Sequence, residues 1–153
     1  MHRQNRTNLM AVMAWFAVCL SSTALASNLT AHLDGAEEVP PFETLAQGQA
    51  VFKVRAGTLS YKLIVANIPN VAASHIHCAP SGANGPVGVT LFAGAPTTVN
   101  GILTQGPILA PDGGNACGWV DVDDIIDALE SGGTYVNVHS LQNLAGEIRG
   151  QVQ

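Results

Sequence analysis

Two of the chain's five histidines stand one residue apart, in His75-Ile76-His77. In an extended chain, side chains at i and i+2 leave the same face roughly 7 Å apart at the backbone, so these two imidazoles can converge on one ion. A third histidine ends the segment Tyr135-Val136-Asn137-Val138-His139, in which Tyr135, Asn137 and His139 share a face. His139 joins the pair if the two strands are neighbours or face each other across the core. Neutral imidazole suits copper, with zinc as the alternative, and three imidazoles leave a coordination position open. A shared ion requires the three nitrogens to lie within about 4 Å of one another. The competing reading is a set of hydrogen-bonded or merely exposed histidines.

Neighbouring residues narrow the chemistry. Cys78 follows His77 but points to the opposite face of an extended chain, which assigns it to a disulfide rather than to the ion. A blue-copper site wants a cysteine ligand and usually an axial methionine, and Met1, Met10 and Met13 all precede residue 27. His32 alternates with Thr30 and Asp34 on a polar face, where it is either solvent-exposed or a fourth ligand. No Ser-His-Asp or Cys-His nucleophile arrangement is legible, and no glycine-rich loop joins a strand to a helix as phosphate binding requires. Asp121, Asp123, Asp124 and Asp127 read as a helix start, because they lack the glycine-turned spacing of a calcium loop. No catalytic residue is assigned and no reaction is named.

The elements that must position these histidines are mostly strands. Ala46, Gly48, Ala50, Phe52 and Val54 alternate with Gln47, Gln49, Lys53 and Arg55, the pattern of a half-buried strand. After Ala56-Gly57, Leu59, Tyr61, Leu63 and Val65 alternate with Ser60 and Lys62, which predicts a hairpin. Further strands are expected over Leu29 to Leu33, Ser74 to Cys78, Val87 to Ala93, Ile102 to Thr104, Thr134 to His139 and Glu147 to Val152. One segment breaks the period of two. Over Asp121 to Glu130, Val122, Ile125, Ile126 and Leu129 fall at helical spacing behind acidic residues and before Gly132-Gly133, so one short helix in a crossover is expected. Many short strands with a single helix predict an all-β, antiparallel sandwich.

The N-terminus is of another kind. A polar stretch with Arg3 and Arg6, an apolar run from Leu9 to Leu20, and Ala24-Leu25-Ala26 are the three regions of an export signal, with cleavage before Ser27. The apolar run is too short for a bilayer span. Residues 27–153 then form one domain of roughly 127 residues, a normal single-core size. Two cysteines remain in it, Cys78 and Cys117. In an exported domain they are expected to form a bridge, worth on the order of 3 to 4 kcal/mol by chain entropy; a free thiol is the alternative. The only basic residues of this part are Lys53, Arg55, Lys62 and Arg149, against all eleven acidic residues of the chain. That imbalance excludes nucleic acid and anionic membrane surfaces as partners, and no later stretch is long enough to cross a membrane. A periplasmic or secreted location is expected.

Three blocks in order carry a family resemblance: Leu33-Asp34-Gly35-Ala36-Glu37-Glu38-Val39-Pro40-Pro41; His75-Ile76-His77 leading to Gly85-Pro86-Val87; and Tyr135-Val136-Asn137-Val138-His139 followed by Gly146-Glu147-Ile148-Arg149-Gly150-Gln151. Together they resemble the CHRD domain, the module named after chordin and common in exported bacterial proteins. The likeness covers nearly all of residues 27–153. It implies either a free-standing exported protein or, as in larger animal proteins, an extracellular interaction module that meets a protein partner through a loop such as Ala79 to Pro86 or Glu37 to Thr44. The H-x-H strand and the late Val-x-His strand are also similar to the copper half of the copper/zinc superoxide dismutases. That likeness implies a Greek-key β-sandwich in which His75, His77 and His139 match copper ligands. The chain departs from it in having no histidine between Ala79 and Ala116 to bridge a second metal, and Arg149 lies slightly off the place of that family's active-site arginine. Glu147 and Arg149 are thus either accessory to the site or an ordinary surface pair.

Overall fold

In the computed structural model, which describes residues 26–153, eight strands and one helix follow in the order β1 (Ser27–Leu33), β2 (Gln47–Arg55), β3 (Thr58–Ala66), β4 (Val71–Cys78), β5 (Val87–Thr97), β6 (Gly101–Ile108), α1 (Val122–Glu130), β7 (Thr134–Ser140) and β8 (Ile148–Gln151). The export signal read over residues 1–26 lies, but for Ala26, outside the described residues. Among the described residues, no helix is long and apolar enough to cross a membrane.

The alternation in β2 and β3 sorts side chains as expected. Ala50, Phe52, Leu63 and Val65 are buried, while Lys53, Ser60 and Lys62 face water. The hairpin register pairs Arg55 with Thr58 across Ala56-Gly57, both of which take positive φ. Tyr61 sits on the inward face and reaches further: its hydroxyl lies 2.9 Å from Leu91 O in β5 and 2.8 Å from Thr104 Oγ1 in β6.

The strands form two antiparallel four-stranded sheets, β1-β2-β3-β6 and β5-β4-β7-β8. After the β1-β2-β3 meander the chain crosses to the second sheet for β4 and β5. It then returns so that β6 pairs with β3, and crosses again through α1 to place β7 beside β4. This is a Greek-key-like sandwich with its helix in a crossover. The core is the space between the sheets, filled from one side by Ala31, Leu33, Phe52 and Leu63 and from the other by Ile76, Val136, Val138 and Ile148.

Two strands run longer than their apolar pattern. β5 continues past Ala93 to Thr97, and β6 extends from Thr104 to Ile108. The added residues, Gly94-Ala95-Pro96 and Gln105-Gly106-Pro107, lie mostly outside the core, so no alternation was needed there. Their prolines are tolerated because β5 and β6 are edge strands. The helix starts as read. Asp121 caps it, accepting from Asp123 N at 3.0 Å and Asp124 N at 3.2 Å, and Asp124 returns a bond to the Asp121 N–H. Ile125, Ile126 and Leu129 are its buried stripe.

On the opposite flank the two sheets are laced together. Thr30 and Gln153 exchange backbone bonds of 2.8 and 2.9 Å, and Asp34 and Arg149 exchange two of 3.0 Å. Backbone can approach this closely because residue 150 has no side chain: a Cβ there would fall 2.0 Å from His32 O. Gly150→Ala is therefore expected to lower unfolding free energy by about 3 kcal/mol or more, by forcing backbone apart. Gly94→Ala, which meets nothing within 4 Å, is expected to stay within about 0.5 kcal/mol. Urea unfolding of both variants checks the contrast.

Candidate metal centre

β4 and β7 are neighbours, in the register His77 opposite Tyr135, His75 opposite Asn137 and Ala73 opposite His139. Ser74 and Ile76 of β4 and Thr134, Val136, Val138 and Ser140 of β7 are fully buried against the core. His75, His77, Tyr135, Asn137 and His139 are thus set on the outer face of the second sheet. An outer face is normally wet, yet all seven residues of β7 are buried. Loops roof it: the segment carrying Glu38, the stretch 79–86, and the stretch 141–147.

His75 and His139 are diagonal neighbours, within reach across a pair of strands. His75 Nδ1 lies 3.0 Å from His139 Nε2. One nitrogen from each of His75, His77 and His139 falls within 4.8 Å of the others. The three rings converge as the spacing suggested, somewhat wider than an ion with bonds near 2 Å would draw them.

Two of the rings have their tautomers fixed. His77 Nδ1 donates to Gly85 O at 3.0 Å and His139 Nδ1 donates to Leu144 O at 3.0 Å. A carbonyl only accepts, so each imidazole carries its proton on Nδ1 and turns the Nε2 lone pair inward. Outward N–H to carbonyl bonds of this kind are the usual support of metal-binding histidines. His77 Nε2 is buried and has no hydrogen-bond partner, which fits a nitrogen awaiting a metal.

Burial lowers the His75 pKa to about 4, with further lowering by His139 and His77 and an opposing pull from Asp112. Burial also lowers His77 against the raising effect of the Gly85 bond, and His139 against that of Leu144. The trio is therefore neutral at neutral pH, the state in which imidazole binds metal.

The loop under His77 is clamped. Cys78 and Cys117 form the disulfide, with Cα atoms 5.8 Å apart, and Cys78 N bonds Pro86 O at 3.1 Å. A Cβ on Gly85 would sit 2.0 Å from Cys78 O, so glycine alone lets this loop bring its carbonyl back to His77. Gly85 N also donates to the Tyr135 hydroxyl at 3.2 Å. Tyr135 stacks on His77 with centroids 4.7 Å apart and planes 9° from parallel. Arg149, from the strand on the other side of β7, lays its guanidinium 3.5 Å from the Tyr135 centroid.

The accessory candidates separate. Arg149 is 2 % exposed and bonds Asn84 Oδ1 at 3.1 Å and Ala83 O at 2.8 Å. Glu147 is also buried, but accepts from Thr44 Oγ1 at 3.0 Å and Asn143 Nδ2 at 3.2 Å. They are not a surface ion pair. Each instead pins roof loops: Arg149 leaves β8 to hold the 79–86 stretch, and Glu147, just before β8, ties Thr44 to Asn143. His32 stays apart from the trio, 62 % exposed and 4.0 Å from Asp34.

Sequence reasoning passed over Glu38, placing it in a possible surface loop. It is 7 % exposed, and burial raises its pKa from 4.5 to about 7 despite Arg149 and Asn137. Its Oε2 lies 3.4 Å from Asn137 Nδ2, whereas its Oε1 and Asn137 Oδ1 are buried without partners. A carboxyl proton shared between those two oxygens would satisfy both. A raised folded-state pKa gives stability that is complete below pH 4.5 and lost as pH rises through about 7. The three histidines, whose pKa values burial lowers, add stability as pH rises toward 6.5 in wild type and variant alike. Thermal unfolding should accordingly show the melting temperature of wild type falling relative to that of Glu38→Gln between pH 5 and pH 8. An unchanged slope in the variant would refute the assignment.

Searches of curated proteins and of solved structures returned no match. The family model of the CHRD domain matches residues 29–152, from the first strand to the residue after the last and including all three histidines. The chain belongs to the CHRD domain family.

Proposed function

We propose that this CHRD-domain chain is exported and binds one transition-metal ion, copper above zinc, through His75 Nδ1, His77 Nε2 and His139 Nε2, in metal handling or a redox task. The observation that carries the reading is the convergence of three neutral imidazoles, two of which, His77 and His139, already have their outward nitrogens engaged. To close from a span of at most 4.8 Å to the roughly 3.3 to 4 Å that bonds near 2 Å require, the rings need shift by only about an ångström. Copper is favoured because nitrogen sites hold Cu²⁺ more tightly than Zn²⁺ when neither geometry nor thiolate intervenes. The disulfide is compatible with an oxidising compartment, and cleavage before Ser27 would be read directly by N-terminal sequencing of exported protein.

A second reading, an extracellular interaction module with structural histidines, draws on one observation. Phe42 and Leu144 are exposed in a groove of about 350 Å³ that Val39, Pro40 and Pro41 also line. The groove is built from the Glu37 to Thr44 loop and the turn after β7, and it is apolar enough to accept a protein partner.

The experiment that separates them uses residues 27–153 titrated with Cu²⁺ or Zn²⁺. One ion per chain is expected, with stabilisation of about 2.7 kcal/mol at a hundred-fold excess over Kd. His77→Ala should abolish both. Failure of the wild type to bind, or equal binding by the variant, would leave the interaction module as the better reading.

A further inference from the structure

We infer that Asp112 is the positioning residue for His75: its carboxylate, fixed over β5, accepts the proton on the outward nitrogen of His75 when Nδ1 turns to a metal. The inference rests on the metal reading above. His77 and His139 each give their outward N–H to a backbone carbonyl. His75 is the exception. The atom that faces the other rings is its Nδ1, 3.0 Å from His139 Nε2, so as a ligand it must carry its proton on Nε2. No backbone carbonyl is bonded to that nitrogen among the described residues, and a metal-binding imidazole ordinarily has an acceptor there.

Asp112 is delivered to the right strand by an assembly that does little else. Thr90 is the cross-strand partner of His75. Its N–H donates to Asp112 Oδ1 at 3.1 Å and its hydroxyl to Oδ2 at 2.6 Å. Asp112 N bonds Gly88 O at 2.9 Å, which ties the segment to β5 at a second point. Beyond it, Asn115 grips both Asp112 O and Trp119 O at 2.9 Å. The Trp119 ring lies where a Cβ on Gly88 would be, 2.0 Å away, and Cys117 anchors the same segment to the end of β4. A carboxylate has about four acceptor positions, and Thr90 uses two, so both oxygens can still accept. No Asp112 oxygen lies within 4.0 Å of a His75 nitrogen among the described residues, so the bond runs through one water or forms as the ring turns to the metal. Asp112 already acts on His75 electrostatically, favouring its charged form.

The test compares Asp112→Asn with wild type for Zn²⁺ affinity by competition with a chelator, together with metal-free melting temperature. An acceptor of this kind is worth about 10- to 100-fold in affinity. The expected result is a loss in that range with little change in the metal-free protein, and partial recovery in Asp112→Glu. Equal affinity in the Asn variant overturns the inference while leaving the three-histidine site intact. A wild type that binds no Zn²⁺ or Cu²⁺ overturns both. If the variant does not fold, ¹⁵N spectra of Zn²⁺-loaded wild type decide. A slowly exchanging His75 Nε2–H supports the assignment, and a freely exchanging one, or a proton on Nδ1, refutes it.

Discussion

The pairing of β4 with β7 governs everything on the outer face of the second sheet. Side chains alternate with a period of two, so a slip of one residue in either strand would send His75 and His77, or His139, into the core and bring Ile76 or Val138 out. The register is held by what lies on the inside. Ile76 and Val136 are opposite each other and fully buried, as are Ser74 and Val138. Core packing thus fixes the site indirectly: the apolar residues choose the register, and the histidines inherit their places from it.

Covering that face with loops creates a problem of polar burial, and the chain solves it unevenly. Arg149 would be costly as an isolated cation. It is stabilised by two oxygen acceptors and by the Tyr135 ring, with no carboxylate within 4.0 Å among the described residues. Glu38 takes the other course and gives up its charge near neutral pH. The histidines likewise remain neutral. A region crowded with ionisable groups is thereby left with little net charge, and an arriving cation would meet lone pairs more than fields.

How much of this was legible follows from the range of each interaction. The β2–β3 hairpin, the helix cap at Asp121 and the shared face of Tyr135, Asn137 and His139 were readable because they depend on neighbours within a few residues. The pairing of Cys78 with Cys117 was readable because only two cysteines remain after residue 26. Glu38, Gly85 and Asp112 were not. Glu38 and Asp112 act on partners far along the chain (Asn137 and Thr90), Gly85 acts on His77 across a loop that no periodicity describes, and nothing local separates a buried glutamate from a surface one. Arg149 was left open between two readings for a related reason: alternation put it beside Glu147, but alternation does not describe the loops that cover a face.

The lacing of β1 to the last residues has a consequence for the order in which the molecule is completed. Thr30 finds its partner in Gln153 and Asp34 in Arg149, contacts that span nearly the whole described chain. Pairings this distant in sequence close slowly. Until they close, β1 presents an unpaired edge of the kind on which strands from other molecules can add. The vulnerable interval of this domain therefore lasts until its final few residues have been delivered and docked, whatever the rest of the sandwich has already achieved.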